Sequence, residues 1–441
     1  MPHRHPSLLA APPAAPGRLW LTNARLFDGS GAPLRDHAAV LICDGVIERV
    51  GDAGDAPPED TPILDVAGRT LMPGLINIHV HAQARELRGE HGAEPILPGT
   101  AAHFLQAGLR DALRMGVTTV RNVGGQGLEP QEARQAMRYG AFRGPRLLTC
   151  GLIISATAPG GRFYGAMYRE ADGPDEIRKA VREQLRAGAD FIKVMTTGAR
   201  SNELEDPEPL QLTDAELAAL VDEAHRMGVT VAAHAEGLDG SAAAIAHGID
   251  TVEHGMYLHR RPDLLERMAA HGQVLVPTLG GYYWMAGIDE AIDPAGATSR
   301  PDMLPALVTL AHHNLQEGTR SMRAARDAGV RIALGSDREG LRDRDTALEL
   351  VRMVHHGLTA GQALAAATSV AARAVGLDDY IGTIAPGRLA DLVVVDGDVL
   401  EAPELLLDPA QIWLVLQLGE PVAGTAVQDA GGALSRSPAR P

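Results

Sequence analysis

Cysteine is scarce in this sequence of 441 residues, which contains only Cys43 and Cys150. Two cysteines are too few for a disulfide framework or for a zinc site built on thiolates. Aromatic residues make up only 3% of the chain, so its core must consist mainly of alanine, valine, leucine and isoleucine. The sequence also lacks any apolar run near the roughly 20 residues that span a bilayer. We therefore expect no membrane partner.

Basic residues are also outnumbered, because the chain has 40 Lys and Arg but 56 Asp and Glu, which gives a net charge of −16. Nucleic-acid binders need clustered Lys and Arg for phosphate contacts, so a nucleic-acid partner is not expected. Near the start of the chain, Pro12, Pro13 and Pro16 interrupt a stretch of alanine and leucine. Such interruption argues against a signal peptide, and we expect a cytoplasmic protein.

The ends of the chain are predicted to form a small β-sandwich domain. Residues 19–72 and 382–428 are rich in β-forming residues, with Asp-Gly turns at Asp28-Gly29 and Asp44-Gly45. The outermost segments, residues 1–18 and 429–441, are predicted to be disordered tails. The central part, residues 73–381, then forms a separate domain.

This central part alternates short apolar strands with helical stretches. The predicted strands are LINIHVH, GVTTVRNVG, RLLTCG, DFIKVMTTG, VTVAAHAEG, IDTVEHG, QVLVPTLGG and RIALGSD. A helix between two of them has Thr213 as its N-cap and Gly228 at its end. Strands buried on both faces, alternating with helices, predict an α/β fold, a (β/α)8 TIM-type barrel. The alternative is an open doubly wound sheet, but no Gly-x-Gly-x-x-Gly follows a strand.

The first predicted strand carries two histidines, His79 and His81. Residues two apart on a strand face the same side, so both imidazoles can point to one metal ion. Lys193 lies within another predicted strand, and a lysine is almost never fully buried without a partner. Three interpretations stay open for it: a side chain that reaches solvent, a Schiff-base lysine, and a lysine carboxylated to bridge metals.

Three more strands end in residues that bind metals. His234 ends VTVAAH, His254 ends IDTVEH and Asp337 ends IALGSD. Catalytic residues of barrels come from the C-terminal ends of several strands, and a buried carboxylate is costly unless it is paired or metal-bound. Four histidines, one lysine and one aspartate at strand ends therefore predict a metal centre.

Together these motifs resemble the amidohydrolase superfamily over nearly the whole chain. The matching segments are LMPGLINIHVH, IKVM, AAHAEG, DTVEHG, GSD and GTIAPGRLADLVVVD. The sequence is most similar to the branch with prolidase-like (Xaa-Pro and Xaa-Arg) dipeptidases, carboxypeptidases and ochratoxin-hydrolysing amidases. This resemblance implies two divalent metal ions, usually zinc. It implies that one ion is held by His79, His81 and Asp337, the other by His234 and His254, with carboxylated Lys193 as the bridge.

The resemblance also implies a mechanism, in which a hydroxide that bridges the metals attacks the amide carbonyl. Asp337 would then act as the general acid and base. Tyr257 matches a tyrosine that this branch places beside the reacting carbonyl, which predicts a catalytic and substrate-binding role. A tyrosine that only packs in the core is the alternative. The sequence contains no Gly-x-Ser-x-Gly elbow, and this mechanism requires none.

Two positions depart from the pattern of the branch. Arg162, in APGGRFYG, stands where the branch has a histidine, and it is predicted either to pair with a substrate carboxylate or to lie in a surface loop. Arg338 directly follows Asp337, where small residues are usual, and indicates a polar or charged substrate group. Tyr283 follows the strand QVLVPT and is predicted either to line the pocket or to pack beneath a loop.

The sequence therefore predicts a dinuclear-metal hydrolase of amide bonds in N-acyl amino acids, dipeptides or related small molecules, including substrates with a free carboxylate. One alternative is hydrolysis of a non-peptide C–N bond at the same site, as in a urea, a carbamate or an imidazolone-type ring. A second alternative is a ligand-binding barrel without catalytic activity. We also expect a homo-oligomer.

Overall fold

The computed structural model describes residues 17–82, 98–200, 205–288, 304–339, 341 and 344–429. The predicted disordered tails, residues 1–18 and 429–441, lie outside this part of the chain except for residues 17, 18 and 429.

The strands follow one another in short segments. In chain order they are β1 (Arg18–Leu26), β2 (Arg35–Cys43), β3 (Val46–Asp52), β4 (Ile63–Asp65), β5 (Thr70–Pro73), β6 (Leu75–His81), β7 (Val117–Asn122), β8 (Arg146–Thr149), β9 (Ile153–Ser155), β10 (Tyr168–Glu170), β11 (Ile192–Met195), β12 (Val231–Ala235), β13 (Thr251–His254), β14 (Val274–Val276), β15 (Arg331–Ile332), β16 (Arg338–Glu339), β17 (Leu392–Val395), β18 (Ile412–Gln417) and β19 (Glu420–Ala423).

Helices separate most of the central strands. They are α1 (Pro98–Arg114), α2 (Glu129–Arg138), α3 (Gly161–Tyr164), α4 (Pro174–Arg186), α5 (Asp214–Arg226), α6 (Leu238–Ala246), α7 (Pro262–His271), α8 (Leu279–Met285), α9 (Pro305–Asp327), α10 (Asp345–His355), α11 (Ala360–Ala366), α12 (Ser369–Ala374) and α13 (Thr425–Asp429). Short 3-10 helices cover Gly165–Met167, Leu258–Arg260, Pro403–Leu407 and Pro409–Gln411.

Both ends of the described chain contribute to one mixed sheet of 8 strands, in the order β19-β18-β17-β5-β1-β2-β3, with β4 paired to β1. The two ends meet where β17 pairs antiparallel with β5, which places Val394 opposite Leu71. Apolar side chains from both ends, including Leu21, Val40 and Leu414, form a common buried cluster. The sheet thus combines the two β-rich segments, and it packs them around their own core.

The central strands form two parallel sheets. One has the order β16-β6-β7-β8, and the other has the order β10-β9-β11-β12-β13-β14-β15. Every strand that the sequence predicted in this region is present, and β12 is buried along its whole length, as expected for parallel strands covered on both faces. Strands β9, β10 and β16 have only two or three residues each, too few for a recognisable periodicity. The prediction of an α/β fold with parallel sheets is confirmed.

Backbone hydrogen bonds join the two parallel sheets at two places. Near β6, the N–H of Ile78 donates to the carbonyl of Leu334, two residues after β15 (3.0 Å), and the N–H of Asp337 donates to the carbonyl of His79 (2.9 Å). At the end of β8, the carbonyl of Thr149 accepts from the N–H of Asp190, two residues before β11 (2.8 Å). The C-terminal ends of the strands are therefore neighbours in space.

The helix predicted after residue 212 begins as its sequence indicates. The Thr213 hydroxyl accepts from the backbone N–H of Glu216, whose carboxylate in turn accepts from the N–H of Thr213, and this capping box satisfies two N–H groups that a helix start leaves unpaired. Both cysteines are free thiols. Of the helices in the described ranges, none has both the length and the apolar character to cross a membrane.

Candidate metal centre

The predicted ligands at the end of β6 and directly before β16 converge on one point. His79 and His81 lie at the end of β6, with their ring centres 5.7 Å apart. The Nε2 atoms of both rings approach the same oxygen of Asp337, His79 at 3.3 Å and His81 at 3.4 Å. The His-x-His pair and the strand-end aspartate thus form one cluster of three donors.

Two further histidines extend this cluster. His234 on β12 and His254 on β13 have ring centres 4.4 Å apart, and the ring of His254 lies 5.2 Å from that of His79. Donor atoms of His79, His254 and Asp337 lie within 4.8 Å of one another, as do those of His234, Glu236 and His254. Because His254 belongs to both groups, the structure brings the predicted ligands together as two overlapping sets of donors.

The backbone is strained at two of the predicted ligands and at a threonine that contacts one of them. His254, Thr278 and Asp337 have positive φ angles of 73°, 50° and 49°, a left-handed conformation that is uncommon for residues other than glycine. Such conformations cost about 1–3 kcal/mol each and persist where the surrounding structure imposes them. Thr278 also fixes His254, since its hydroxyl lies 2.7 Å from the Nδ1 atom of that ring. The strain therefore accompanies the orientation of two predicted ligands.

Lys193 lies on β11, next to the strand β12 that carries His234, and its buried side chain lines the same cavity as the histidines. Among the residues that the structure describes, none forms a hydrogen bond with its Nζ atom. Burial lowers the pKa of Lys193 to about 8, although the carboxylates of Glu253 and Asp337 oppose this shift. A buried amine without a partner is costly, and its lowered pKa provides the neutral form that carboxylation requires.

Three of the predicted ligands have shifted pKa values. Burial, together with the charge of Lys193, lowers the pKa of His234 to about 3, and burial also holds the pKa of His254 well below its usual value. Burial would raise the pKa of Asp337, but the surrounding histidines hold it well below the usual value. At neutral pH the imidazoles of His234 and His254 are neutral and the carboxyl of Asp337 is ionised, as metal ligands must be.

A buried network that the sequence did not predict supports His79. Glu253 precedes His254 on β13, and its Oε2 lies 2.6 Å from the Nδ1 of His79. The guanidinium of Arg121 on β7 donates to the other oxygen of Glu253 (2.7 Å) and to the carbonyl of Ile78 (2.6 Å). Charged residues inside strands that are otherwise apolar were the available indication, since such residues are rarely buried unless paired.

Glu236 is a second residue of the site that the sequence analysis missed. It lines the same cavity as the histidines, and burial raises the pKa of its carboxyl to about 7. The hydroxyl of Tyr282 donates to it at 2.7 Å, and the backbone N–H of Arg200 donates to it at 2.9 Å. The segment AAHAEG placed this carboxylate two residues after His234, which was the indication in the sequence.

Of the predicted substrate-binding residues, Arg338 lines the cavity and three others do not. Tyr257 is buried between two guanidinium groups, with Arg260 4.3 Å from the centre of its ring. The hydroxyl of Tyr283 lies 2.8 Å from the Nε2 of His356, outside the cavity lining. Arg162 is exposed on the short helix α3. The structure therefore does not bring Arg162, Tyr257 and Tyr283 to the cavity.

A model of the amidohydrolase family matches residues 70–422, which include the whole metal cluster. The chain belongs to the amidohydrolase family. The predicted superfamily and its branch are confirmed, because relatives within this family include an ochratoxinase and a Xaa-Pro dipeptidase.

Three amidohydrolase relatives illustrate the range of the similarity. The ochratoxinase of Aspergillus niger is 30% identical over 434 residues, which cover 91% of this chain and 86% of the relative. The imidazolonepropionase of Paracoccus denitrificans is 29% identical over 410 residues, which cover 84% of this chain and 90% of the relative. The crystal structure of a Xaa-Pro dipeptidase with methionine bound in its active site is 26% identical, with a TM-score of 0.81 over 92% of this chain and 100% of the dipeptidase.

The residues of this amidohydrolase fit the metal ions that the family generally binds. Histidine imidazoles, a carboxylate that is ionised at neutral pH and a buried amine without a hydrogen-bond partner in the described part of the chain occupy one cluster. Imidazole and carboxylate ligands suit divalent ions such as zinc. The prediction of a hydrolase of this family is confirmed, whereas the number and identity of the ions stay predictions.

Proposed function

We propose that this amidohydrolase is a dinuclear-metal hydrolase of amide bonds in N-acyl amino acids, dipeptides or related small molecules. The observation that carries the proposal is the buried Nζ of Lys193, which has no hydrogen-bond partner among the described residues and lies within a cluster of histidines and one aspartate. Carboxylation would turn this lysine into a ligand that two ions can share.

In this proposal each predicted ligand keeps its assigned ion. One ion would be held by His79, His81 and Asp337 and the other by His234 and His254, and carboxylated Lys193 would be a ligand of both. We propose zinc, because imidazole and carboxylate ligands suit it. When bound, such ions lower the pKa of water and polarise a carbonyl group.

Asp337 is the residue that moves the proton. Its low pKa keeps it ionised at neutral pH, and one of its oxygens lies 3.3 Å from the Nε2 of His79 and 3.4 Å from that of His81. It accepts the proton of the attacking water and passes it to the leaving amine nitrogen, a general base and acid role. The role of Tyr257 beside the carbonyl stays a prediction, since its ring lies outside the cavity lining.

The substrate class follows from two relatives. One is named an ochratoxinase and the other is a Xaa-Pro dipeptidase that holds methionine in its active site. The test is a library of N-acyl amino acids and dipeptides, assayed with protein reconstituted with zinc and bicarbonate. We expect turnover that disappears when a chelator removes the metal. A fully metal-loaded protein without turnover on this library would contradict the proposal.

A second candidate is hydrolysis of a C–N bond outside peptides. The similarity to an imidazolonepropionase over 84% of this chain favours it. The same residues would serve this reaction, because water attack on an electrophilic carbon and protonation of a nitrogen are common to both. Assays with imidazolone and aryl urea substrates beside the amide library would distinguish the two functions.

We also propose finer features of the fold and the assembly. The hydrogen bonds that join the two parallel sheets at β6 and at β8 support closure into a (β/α)8 barrel over residues 73–381. The mixed sheet with its own core supports a small β-sandwich domain from residues 19–72 and 382–428. A cytoplasmic homo-oligomer stays a prediction, which light scattering of the purified protein and fractionation of cells would test.

A further inference from the structure

Arg338 occupies an unusual place beside the predicted metal ligands. It pairs with Val80 of β6, the residue between His79 and His81, and it follows Asp337 directly in sequence. Its side chain is only 6% exposed and its Nε lies 3.5 Å from a carboxylate oxygen of Asp345. The Cζ atom lies 5.3 Å from the ring centre of Trp284. The guanidinium is thus held in place at the wall of the cavity.

Arg338 also provides positive charge in a cavity whose lining contains few basic residues. Apart from histidines, Lys193 and Arg338 are the basic residues in the described lining, and Lys193 is enclosed within the ligand cluster. The chain carries a net charge of −16, so an anionic substrate gains little from the overall field of the protein. A guanidinium in the wall is suited to bind a carboxylate through two parallel hydrogen bonds.

Another part of the cavity wall is apolar. Ile153, Met167, Tyr168, Met195 and Ala199 form one buried cluster, which we call the apolar wall, and all of them line the cavity. The ring of Tyr164 stacks on that of Tyr168 at 5.0 Å and extends this surface. An apolar or aromatic group would bury area here without leaving a polar atom unpaired.

We propose that Arg338 binds the free carboxylate of the substrate and that the apolar wall receives the acyl group, which makes N-acyl amino acids with apolar acyl groups the substrate class. The inference rests on the proposed amide hydrolysis and adds to it a charge preference and a residue that sets it. It assigns the carboxylate to Arg338 rather than to Arg162, whose side chain is exposed and lies outside the cavity lining.

The competing interpretation is that Arg338 serves only to pair with Asp345. A purely structural ion pair would affect all substrates equally. A carboxylate-binding residue affects only substrates that carry the carboxylate. The test therefore needs two substrates that differ at this group alone, N-benzoyl-L-alanine and its carboxamide, both assayed on enzyme reconstituted with zinc.

We expect the wild type to prefer the acid. Arg338→Met should lower kcat/KM for the acid by about 30-fold or more, as for a buried charge that loses its partner, and change kcat/KM for the carboxamide by less than about threefold. Arg338→Lys keeps the positive charge without the planar guanidinium and should retain part of the preference for the acid. This variant still gives a result if Arg338→Met does not fold. Arg186→Met is the matched control, because Arg186 is exposed at the end of α4.

Four results would count against the inference. If Arg338→Met lowers kcat/KM equally for the acid and the carboxamide, Arg338 has only a structural role. Loss of the acid preference in Arg162→Met instead would move the carboxylate to Arg162. Turnover of both substrates by the wild type without preference would overturn the inference alone. Turnover of neither by zinc-loaded enzyme would overturn the inference, and the proposed function would fall with it only if the whole amide library also gave no turnover.

The apolar wall has its own test. The wild type should prefer N-benzoyl-L-alanine over N-acetyl-L-alanine, because the larger group buries more apolar area. Met167→Ala removes part of this wall and leaves Arg338 in place, so it should reduce the benzoyl preference while the acid preference stays intact. Equal kcat/KM for the two acyl groups in the wild type would contradict the assignment of the acyl group to this wall.

Discussion

The Nδ1 atom of His79 lies 2.6 Å from the Oε2 atom of Glu253, and both side chains are buried. This contact fixes the ring: Nδ1–H donates to the carboxylate, which leaves Nε2 as the acceptor that faces Asp337. Arg121 holds the other oxygen of Glu253 and lowers the pKa of this carboxyl against the effect of burial. Two charged residues below the site thus orient a predicted metal ligand.

Loss of this contact should weaken metal binding. Glu253→Gln keeps the shape of the side chain but replaces an anionic acceptor by a neutral amide, and supporting partners of this kind are worth about 10–100-fold in metal affinity. The measurement is competition for zinc between the protein and a calibrated chelator. Glu132→Gln, an exposed position on α2, is the control. Unchanged zinc affinity in Glu253→Gln would show that Glu253 does not orient His79.

Lys193 should determine the metal content. Wild-type protein prepared with bicarbonate and zinc should contain about two ions per chain, and Lys193→Ala should contain about one, because the shared ligand is lost. Elemental analysis measures both ratios. Lys179→Ala removes a lysine whose side chain is 67% exposed and should leave the ratio unchanged. Equal metal content in Lys193→Ala and the wild type would exclude the bridging role.

Asp337→Asn should impair turnover without unfolding the protein. An amide cannot accept and return the proton, so kcat should fall by roughly 10²-fold or more, with a smaller change in KM. Asparagine also tolerates the left-handed backbone of this position (φ 49°), so the melting temperature should stay close to that of the wild type. Steady-state kinetics on protein of known zinc content gives the answer, and near wild-type kcat would remove Asp337 from the mechanism.

The predicted ligands could be found from the sequence because strand geometry is regular. Parallel strands end at the same edge of a sheet, so His79, His234, His254 and Asp337 had to be neighbours once their strands were recognised. Lys193 was conspicuous because a lysine within an apolar strand is rare. These inferences need only the period of the strand and the order of the elements.

The residues around the ligands depend on features that a single sequence does not reveal. Tyr283 was predicted either to line the pocket or to pack beneath a loop. The chain after β14 is helix α8, and the 100° step between its residues points Tyr282 into the cavity instead. Glu253 and Arg121 pair across strands that are far apart in sequence, and only the three-dimensional structure brings them together. Arg162 was placed by resemblance, whereas the local helix α3 exposes it.

Glu223 should stabilise the protein against acid. This buried carboxylate on α5 accepts hydrogen bonds from Arg182 of α4 (2.7 Å) and from Arg226 (2.6 Å), which lower its pKa to about 2 from an ordinary 4.5. Because the folded protein binds the ionised form of Glu223 more strongly than the unfolded chain does, the stabilising effect of this carboxylate is complete above about pH 4.5. The effect disappears as the pH falls towards 2.

Glu223→Gln should therefore melt at a lower temperature than the wild type at pH 6, and the difference in melting temperature should shrink between pH 4.5 and 2. Glu266→Gln, at an exposed position on α7, should show no such difference at any pH. A difference between Glu223→Gln and the wild type that is independent of pH would mean that packing of the side chain, rather than its charge, connects the two helices.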